Sequence, residues 1–156
     1  MRNYLTLSSF LFAGAFLAVL SSCTPQACFD ETEAFLKASF YDNTTKLQLT
    51  PDSLTLVGLG RDTAFLYNNS GNVKPAQFPL DAARDSCTFI ITINDITDTI
   101  TFYYTNYPHL ISKECGYTFF HDLIDTPRYS KNTIDYIYVN SKSITTSNEE
   151  NIRIFY

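Results

Sequence analysis

Four cysteines, two histidines and three short polar clusters are the residues of this 156-residue chain whose types could do chemistry. Cys23, Cys28, Cys87 and Cys115 could bridge, bind a metal or act as nucleophiles. No Cys-x-x-Cys occurs, and neither His109 nor His121 stands at zinc-like spacing from a cysteine. The stretch Phe120-His121-Asp122-Leu123-Ile124-Asp125 offers a general base with carboxylates, or three metal ligands. A polar loop closed by an Asp125-Thr126-Pro127 turn accounts for the same residues, and no Gly-x-Ser-x-Gly elbow accompanies them. Asn94, Asp95 and Asp98 could give oxygens to calcium. Their spacing is not that of an EF-hand, and a hairpin turn over 94–98 explains them better. Gly58 and Gly60 lack the remaining glycines and the lysine of a phosphate-binding loop. The expectation is a chain with no catalytic residues, no metal and no cofactor.

The N-terminus is more informative. Arg2 is its only charge, Leu5–Leu20 is apolar apart from Thr6, Ser8, Ser9 and Gly14, and Ser21 and Ser22 are small. A basic head, a short apolar stretch and small residues read as a signal peptide over 1–22. No basic residue follows directly to stop transfer, which disfavours a membrane anchor. Leu20-Ser21-Ser22-Cys23 resembles the lipobox of bacterial lipoproteins. The resemblance implies cleavage before Cys23, a diacylglycerol thioether on its sulfur and a further acyl chain, such as palmitate, on its amine. Two or more chains hold a protein on a membrane where one does not.

Net charge is −5, and loss of Arg2 with the leader takes it to −6. With no basic run, nucleic acid is not expected as a partner. Membrane contact is expected through the acyl chains on Cys23, with an envelope protein or glycan as the other partner. Export implies an oxidising compartment, so one of three pairings among Cys28, Cys87 and Cys115 is expected, leaving one thiol over. Gly116 after Cys115 permits close approach of another backbone, and Cys28 stands where a staple is useful. Cys87, beside the apolar run Thr88-Phe89-Ile90-Ile91, suits a buried small hydrophobe and the free thiol. Cys87–Cys115 stays open on these grounds.

The elements that must position these residues are strands. Thr, Ile, Tyr and Phe are abundant and glycine is scarce, with 11 Tyr, 13 Phe and no Trp. Ala34, Leu36, Ala38 and Phe40 alternate with Lys37 and Ser39. Leu54 and Leu56 form a second pair, and a short strand is closed by a turn cluster at Asn68–Asn72. Pro75 and Pro79 bracket a loop or edge. The clearest unit is a hairpin: Phe89, Ile91 and Ile93 share one face of its first arm, with Cys87 on the same parity. After the 94–98 turn, Ile100, Phe102 and Tyr104 share one face, with Thr99, Thr101, Tyr103 and Thr105 opposite. A strand interrupted by Gly116 over 109–120, a strand over 133–144, and a last strand with Ile152 and Ile154 paired complete the chain. Residues 80–86 have room for one helical turn. Short strands between turn clusters predict an all-β fold, an antiparallel β-sandwich of immunoglobulin or transthyretin type, with a closed barrel as the alternative. The expected organisation is a signal peptide at 1–22, a lipid-anchored tether at 23–32 and one sandwich domain at 33–156.

The lipobox, the second cysteine close behind it, Ser112-Lys113-Glu114-Cys115-Gly116-Tyr117 before an aromatic strand, and the ending Ile152-Arg153-Ile154-Phe155-Tyr156 together resemble small uncharacterised lipoproteins of Bacteroidetes-type bacteria. That resemblance implies Cys28 and Cys115 as the recurring pair, and it carries no activity. Asp52-Ser53-Leu54, Asp62-Thr63-Ala64 and Asp98-Thr99-Ile100 resemble the O-glycosylation acceptor motif of such bacteria, with Ser53, Thr63 and Thr99 as acceptors. The functional expectation is a lipid-anchored, non-enzymatic binding or assembly module of the cell envelope, on the periplasmic face of the outer membrane. The alternatives are a small envelope hydrolase or metal-dependent enzyme using His121, Asp122 or His109, and a glycan-binding module presenting tyrosines such as Tyr103.

Overall fold

The computed structural model describes residues 28–61 and 63–156, and within them the chain is all β, with no helix and with two sheets. The smaller sheet has the order β4 (Ala76–Pro79), β1 (Phe35–Tyr41), β11 (Ile152–Phe155), β9 (Tyr136–Val139). The larger runs β10 (Ser143–Ile144), β7 (Gly116–Leu123), β6 (Ile96–Ser112), β5 (Ser86–Ile93), β2 (Leu54–Gly58), β3 (Phe65–Ser70), with β8 (Arg128–Tyr129) added beside β6. Neither sheet closes into a barrel. Pairing is antiparallel except between β1 and β11, which run parallel with Ala38 opposite Ile152 and Phe40 opposite Ile154. Strands from the two ends of the described chain thus lie side by side at the centre of the smaller sheet. A purely antiparallel sandwich does not anticipate that pair.

Alternation builds the core between the sheets. Leu36, Ala38 and Phe40 of β1, Phe78 of β4 and Ile152 and Ile154 of β11 are buried from one side. Leu54, Leu56, Phe89, Ile91, Ile93, Ile100, Phe102 and Tyr104 are buried from the other. Phe78 joins the layers, its ring edge-on to Phe89 and Phe102 at 5.2 and 5.3 Å between centroids. Lys37 and Ser39, expected on the open side of β1, are buried as well; the Lys37 ammonium donates to the Ser147 carbonyl.

Several expected boundaries move. The β5–β6 turn is two residues, Asn94 and Asp95, with φ of 47° and 69°, and Ile93 pairs directly with Ile96. Both residues in left-handed backbone is the tight hairpin geometry that matches strand twist, and Asn and Asp tolerate it. Asp98 therefore belongs to β6, on the inward parity of Ile100, and is not a turn residue. Strand β3 continues through Asn68–Ser70 instead of turning at Asn68. Gly116 does not interrupt one strand: β6 runs unbroken to Ser112, and Gly116, with φ 75°, opens β7 after a tight reversal. Pro108 is accommodated in the middle of β6 because β5 pairs with that strand only as far as Tyr103, so the missing N–H costs no ladder bond there. The 133–144 segment divides into β9 and β10, and residues 80–86 hold turns with no helix.

Candidate functional site

His121 and Asp122 are successive residues of β7, so their side chains leave opposite faces. His121 is buried, its Nδ1 2.6 Å from Asn106 Oδ1 and its ring edge-on to Tyr104 at 5.4 Å. Burial lowers the imidazole pKa below 6.5, against the smaller opposing pull of Asp122, so the ring is neutral near pH 7. His109 lies on β6 opposite Thr118 and stacks on Phe120 at 4.2 Å. Asp125 is exposed in the loop beyond β7. These groups are not brought to one point, and no cluster of three or more His, Cys, Asp or Glu suited to a metal occurs among the described residues. The hydrolase and metal-enzyme alternatives have no geometric support from them.

A polar junction unforeseen in the sequence lies close by. The buried Tyr104 hydroxyl accepts the Asp81 N–H at 3.0 Å, donates to the Asp81 carbonyl at 3.0 Å, and touches Cys87 Sγ at 3.0 Å. Burial first, then the Cys87 contact, pushes the phenol pKa well above its ordinary value. An open depression of about 930 Å³ lies over this junction, lined in part by Arg84, Asp85, Tyr104, Asn106 and Ile124. The phenol lining it is protonated and lies beside an unpaired thiol, with the His121 ring and the Asp81 carboxylate also near it. Tyr104 thus ties the 81–85 loop to β6, and Cys87, expected buried on the parity of Phe89, is unbridged and part-buried against the core.

On the smaller sheet three aromatics form a row that cations cover, while Tyr138 on β9 stays exposed. Tyr41, Phe155 and Tyr136 stack in a row, at 5.2 and 4.2 Å between centroids. Lys46 lies over Tyr136 and Phe155, and Arg153 over Tyr41, so cations cover faces a sugar would need. Glu150, paired with Arg153 and accepting from the Tyr41 hydroxyl, locks the end of the row. Tyr103 lies under the Arg128 guanidinium at 5.2 Å.

The cysteines are resolved by the hairpin of β6 and β7. Cys28 is bridged to Cys115, 87 positions further along the sequence, with Cα atoms 4.9 Å apart. Cys115 sits in the reversal, its N–H bonded to Ser112 Oγ at 3.0 Å. Beyond the bridge, Thr118 Oγ1 donates to the Thr32 carbonyl at 2.6 Å, laying the segment before β1 along β7. Closing so long a loop restricts the unfolded chain and contributes up to about 4–5 kcal/mol on the chain-entropy account. In denaturant titrations Cys115→Ser is expected to lose up to that amount, with Cys87→Ser losing no more than about 1 kcal/mol, the scale of a modest repacking.

The other expected sites are dispersed. The signal peptide at 1–22, Cys23 and the next four tether residues, 24–27, lie outside the described residues. Ser53 is half-buried at the head of β2, its N–H bonded to Asn94 Oδ1. Thr63 is exposed beside Asp62, which is not among the described residues. Thr99 is exposed on β6, but its neighbour Asp98 is enclosed: Asp98 accepts from the Ser130 hydroxyl at 2.5 Å and from the amides of Asn132, Thr133 and Ile134 at 2.8–3.0 Å. An enzyme reading Asp98 together with Thr99 could not reach that carboxylate in the folded chain.

Residues 53–156 match the sequence profile of a family described as Family of unknown function (DUF6452). The chain belongs to this family. The DUF6452 match takes in β2 to β11, the Tyr104 junction and Cys115, but neither β1 nor Cys28. No curated protein and no solved structure matches the chain.

Proposed function

We propose that this DUF6452 protein is a lipid-anchored module of the bacterial cell envelope that binds or assembles with an envelope partner without catalysing a reaction. The observation that carries the reading is the Cys28–Cys115 bridge five residues after the lipobox-like Leu20-Ser21-Ser22-Cys23. A structural disulfide suits an oxidising compartment, and an acylated Cys23 would hold the domain on a membrane there. Thr24 is not aspartate and no acidic run directly follows Cys23, so with neither a retention nor a surface-export signal in view the reading is the periplasmic face of the outer membrane. Ser53, Thr63 and Thr99 are the places where glycans would be added, with Thr99 the least accessible as a motif. Tyr-rich strands keep glycan binding as the second reading for the partner, weakened by the cation-covered row.

Cell fractionation tests the anchor. The native protein is expected in the membrane fraction and resistant to high salt, because its hold is acyl and not electrostatic. Cys23→Ser is expected to accumulate unprocessed or to leave the membrane on salt washing. A Cys23→Ser protein processed and retained like the native one would overturn the anchor.

A further inference from the structure

Among the described residues, none covers one apolar face of the β6–β7 hairpin, at the end of the molecule where Cys28 lies. Leu110 pairs with Tyr117 and Pro108 with Phe119, so the four side chains share one face. Tyr117 is 74% exposed, Leu110 46% and Phe119 45%. The segment carrying Thr32 lies toward Thr118, the opposite parity, so it does not cover this face. Phe29, next to the bridge, is 91% exposed. Lys113 and Glu114 at the reversal are exposed too.

We infer that this hairpin end is a membrane-docking surface, seated in the bilayer interface with Tyr117, Leu110 and Phe119 toward the lipid. The inference rests on the acylation of Cys23 proposed above. Its argument is where the N-terminal chain ends. Five residue steps separate Cys23 from Cys28, a reach of at most about 18 Å when fully extended. Cys28 is in turn bridged to Cys115, Cα to Cα 4.9 Å, two residues from Tyr117. An acylated Cys23 therefore holds the hairpin end within that reach of the headgroups, nearer than the far end of β6, while the bridge is closed. Tyr with an apolar body and wet hydroxyl, beside Lys113 able to extend its stem, is the side-chain chemistry of a membrane interface. Tethering makes the contact intramolecular, so a patch too small to bind vesicles alone is still populated. The bridge thereby sets orientation: the β5–β6 turn at Asn94–Asp95, at the far end of β6 from the reversal, is held away from the membrane, toward a partner.

Hydroxyl-radical footprinting tests this with the acylated full-length mature protein in vesicles of phosphatidylethanolamine and phosphatidylglycerol. The unacylated Cys23→Ser protein in buffer is the reference, and Tyr138, exposed on β9, is the internal standard. Oxidation of Tyr117 relative to Tyr138 is expected to fall at least fivefold in vesicles and to recover in the Leu110→Ser, Phe119→Ser double variant. Wild-type shielding stands as a result even if that variant folds poorly. Vesicle-bound protein with Tyr117 as reactive as in buffer would overturn docking and leave the anchor intact. Tyr117 equally shielded in buffer would assign the face to a second copy of the chain and overturn the lipid. Loss of vesicle flotation with no acyl mass on Cys23 would overturn anchor and docking together.

Discussion

A chain reduced to residues 53–156, the part that matches the family profile, is expected not to fold. Strand β1 lies outside that part but inside the smaller sheet, hydrogen-bonded to β4 on one edge and β11 on the other. Its removal takes Leu36, Ala38 and Phe40, all at most 2% exposed, out of the core. Truncating one buried Leu or Phe to alanine costs about 2–5 kcal/mol. Losing the strand costs both of these and orphans the facing edges of β4 and β11. The two side chains alone come to about 4–10 kcal/mol, comparable with the roughly 5–15 kcal/mol by which a domain of this kind is stable, before the orphaned edges are counted. Circular dichroism of the 53–156 chain is expected to show no cooperative thermal transition. A chain beginning at residue 28 is expected to melt as a single unit. A cooperative melt of 53–156 at the longer chain's temperature would contradict the placement of β1. The same logic extends to the C-terminus: β11 lies between β1 and β9, so removal of residues 152–156 is equally disruptive.

The second large effect belongs to Asp98. Its carboxylate sits under β6 and receives four hydrogen bonds from the loop at 130–134, which it pins against the hairpin. Asp98→Ala leaves four donors without an acceptor. Each buried orphan costs about 1–3 kcal/mol, and with some of them reaching water the expected loss is about 3–5 kcal/mol. Asp98→Asn keeps one acceptor oxygen and is expected to fall between. Stability should also carry an acid limb. Burial pushes the carboxyl pKa up, but the Ser130 hydroxyl and the three amides more than offset it and hold the value below normal. The folded carboxyl thus stays ionised at a pH where the unfolded one, near about 3.9, has taken its proton. Its contribution is present above that pH and is lost as pH falls through the lower folded value. Denaturant midpoints measured across about pH 2–5, the window bracketing that unfolded value, are expected to drop less steeply in Asp98→Asn than in the native protein. Parallel slopes would show that the carboxylate is not the group responsible.

Asp98 also marks how far the sequence could be read. The period of two in Phe89-Ile91-Ile93 and in Ile100-Phe102-Tyr104 was legible because burial acts on each strand separately. Where the hairpin turned was not, because Asn94 to Asp98 is polar enough throughout to pass for a loop, and Ile96 alone interrupts it. The two-residue turn draws Asp98 inward, and the partners that make this tolerable lie 32–36 residues downstream. No local pattern announces them. The parallel β1–β11 pair and the Tyr104–Asp81 contact are non-local in the same way. The cysteine pairing was half legible. The glycine after Cys115 and the apolar run after Cys87 pointed to Cys28–Cys115, but the closure depends on β6 extending through Pro108 and folding back at Ser112–Gly116. Of the candidate chemistry, His121 and Asp122 suggested a pair only because adjacency in sequence hides that neighbours in a strand face apart.

An anchor at Cys23, a staple from Cys28 to Cys115 and a free Cys87 are the centre of this account, and one non-reducing peptide map of the protein purified from membranes tests all three. The predicted result is an acylated peptide beginning at Cys23, joined through Cys28 to the peptide holding Cys115, with Cys87 alkylated once the protein is denatured. An unmodified Cys23, or a peptide joining Cys87 to either partner, would contradict it.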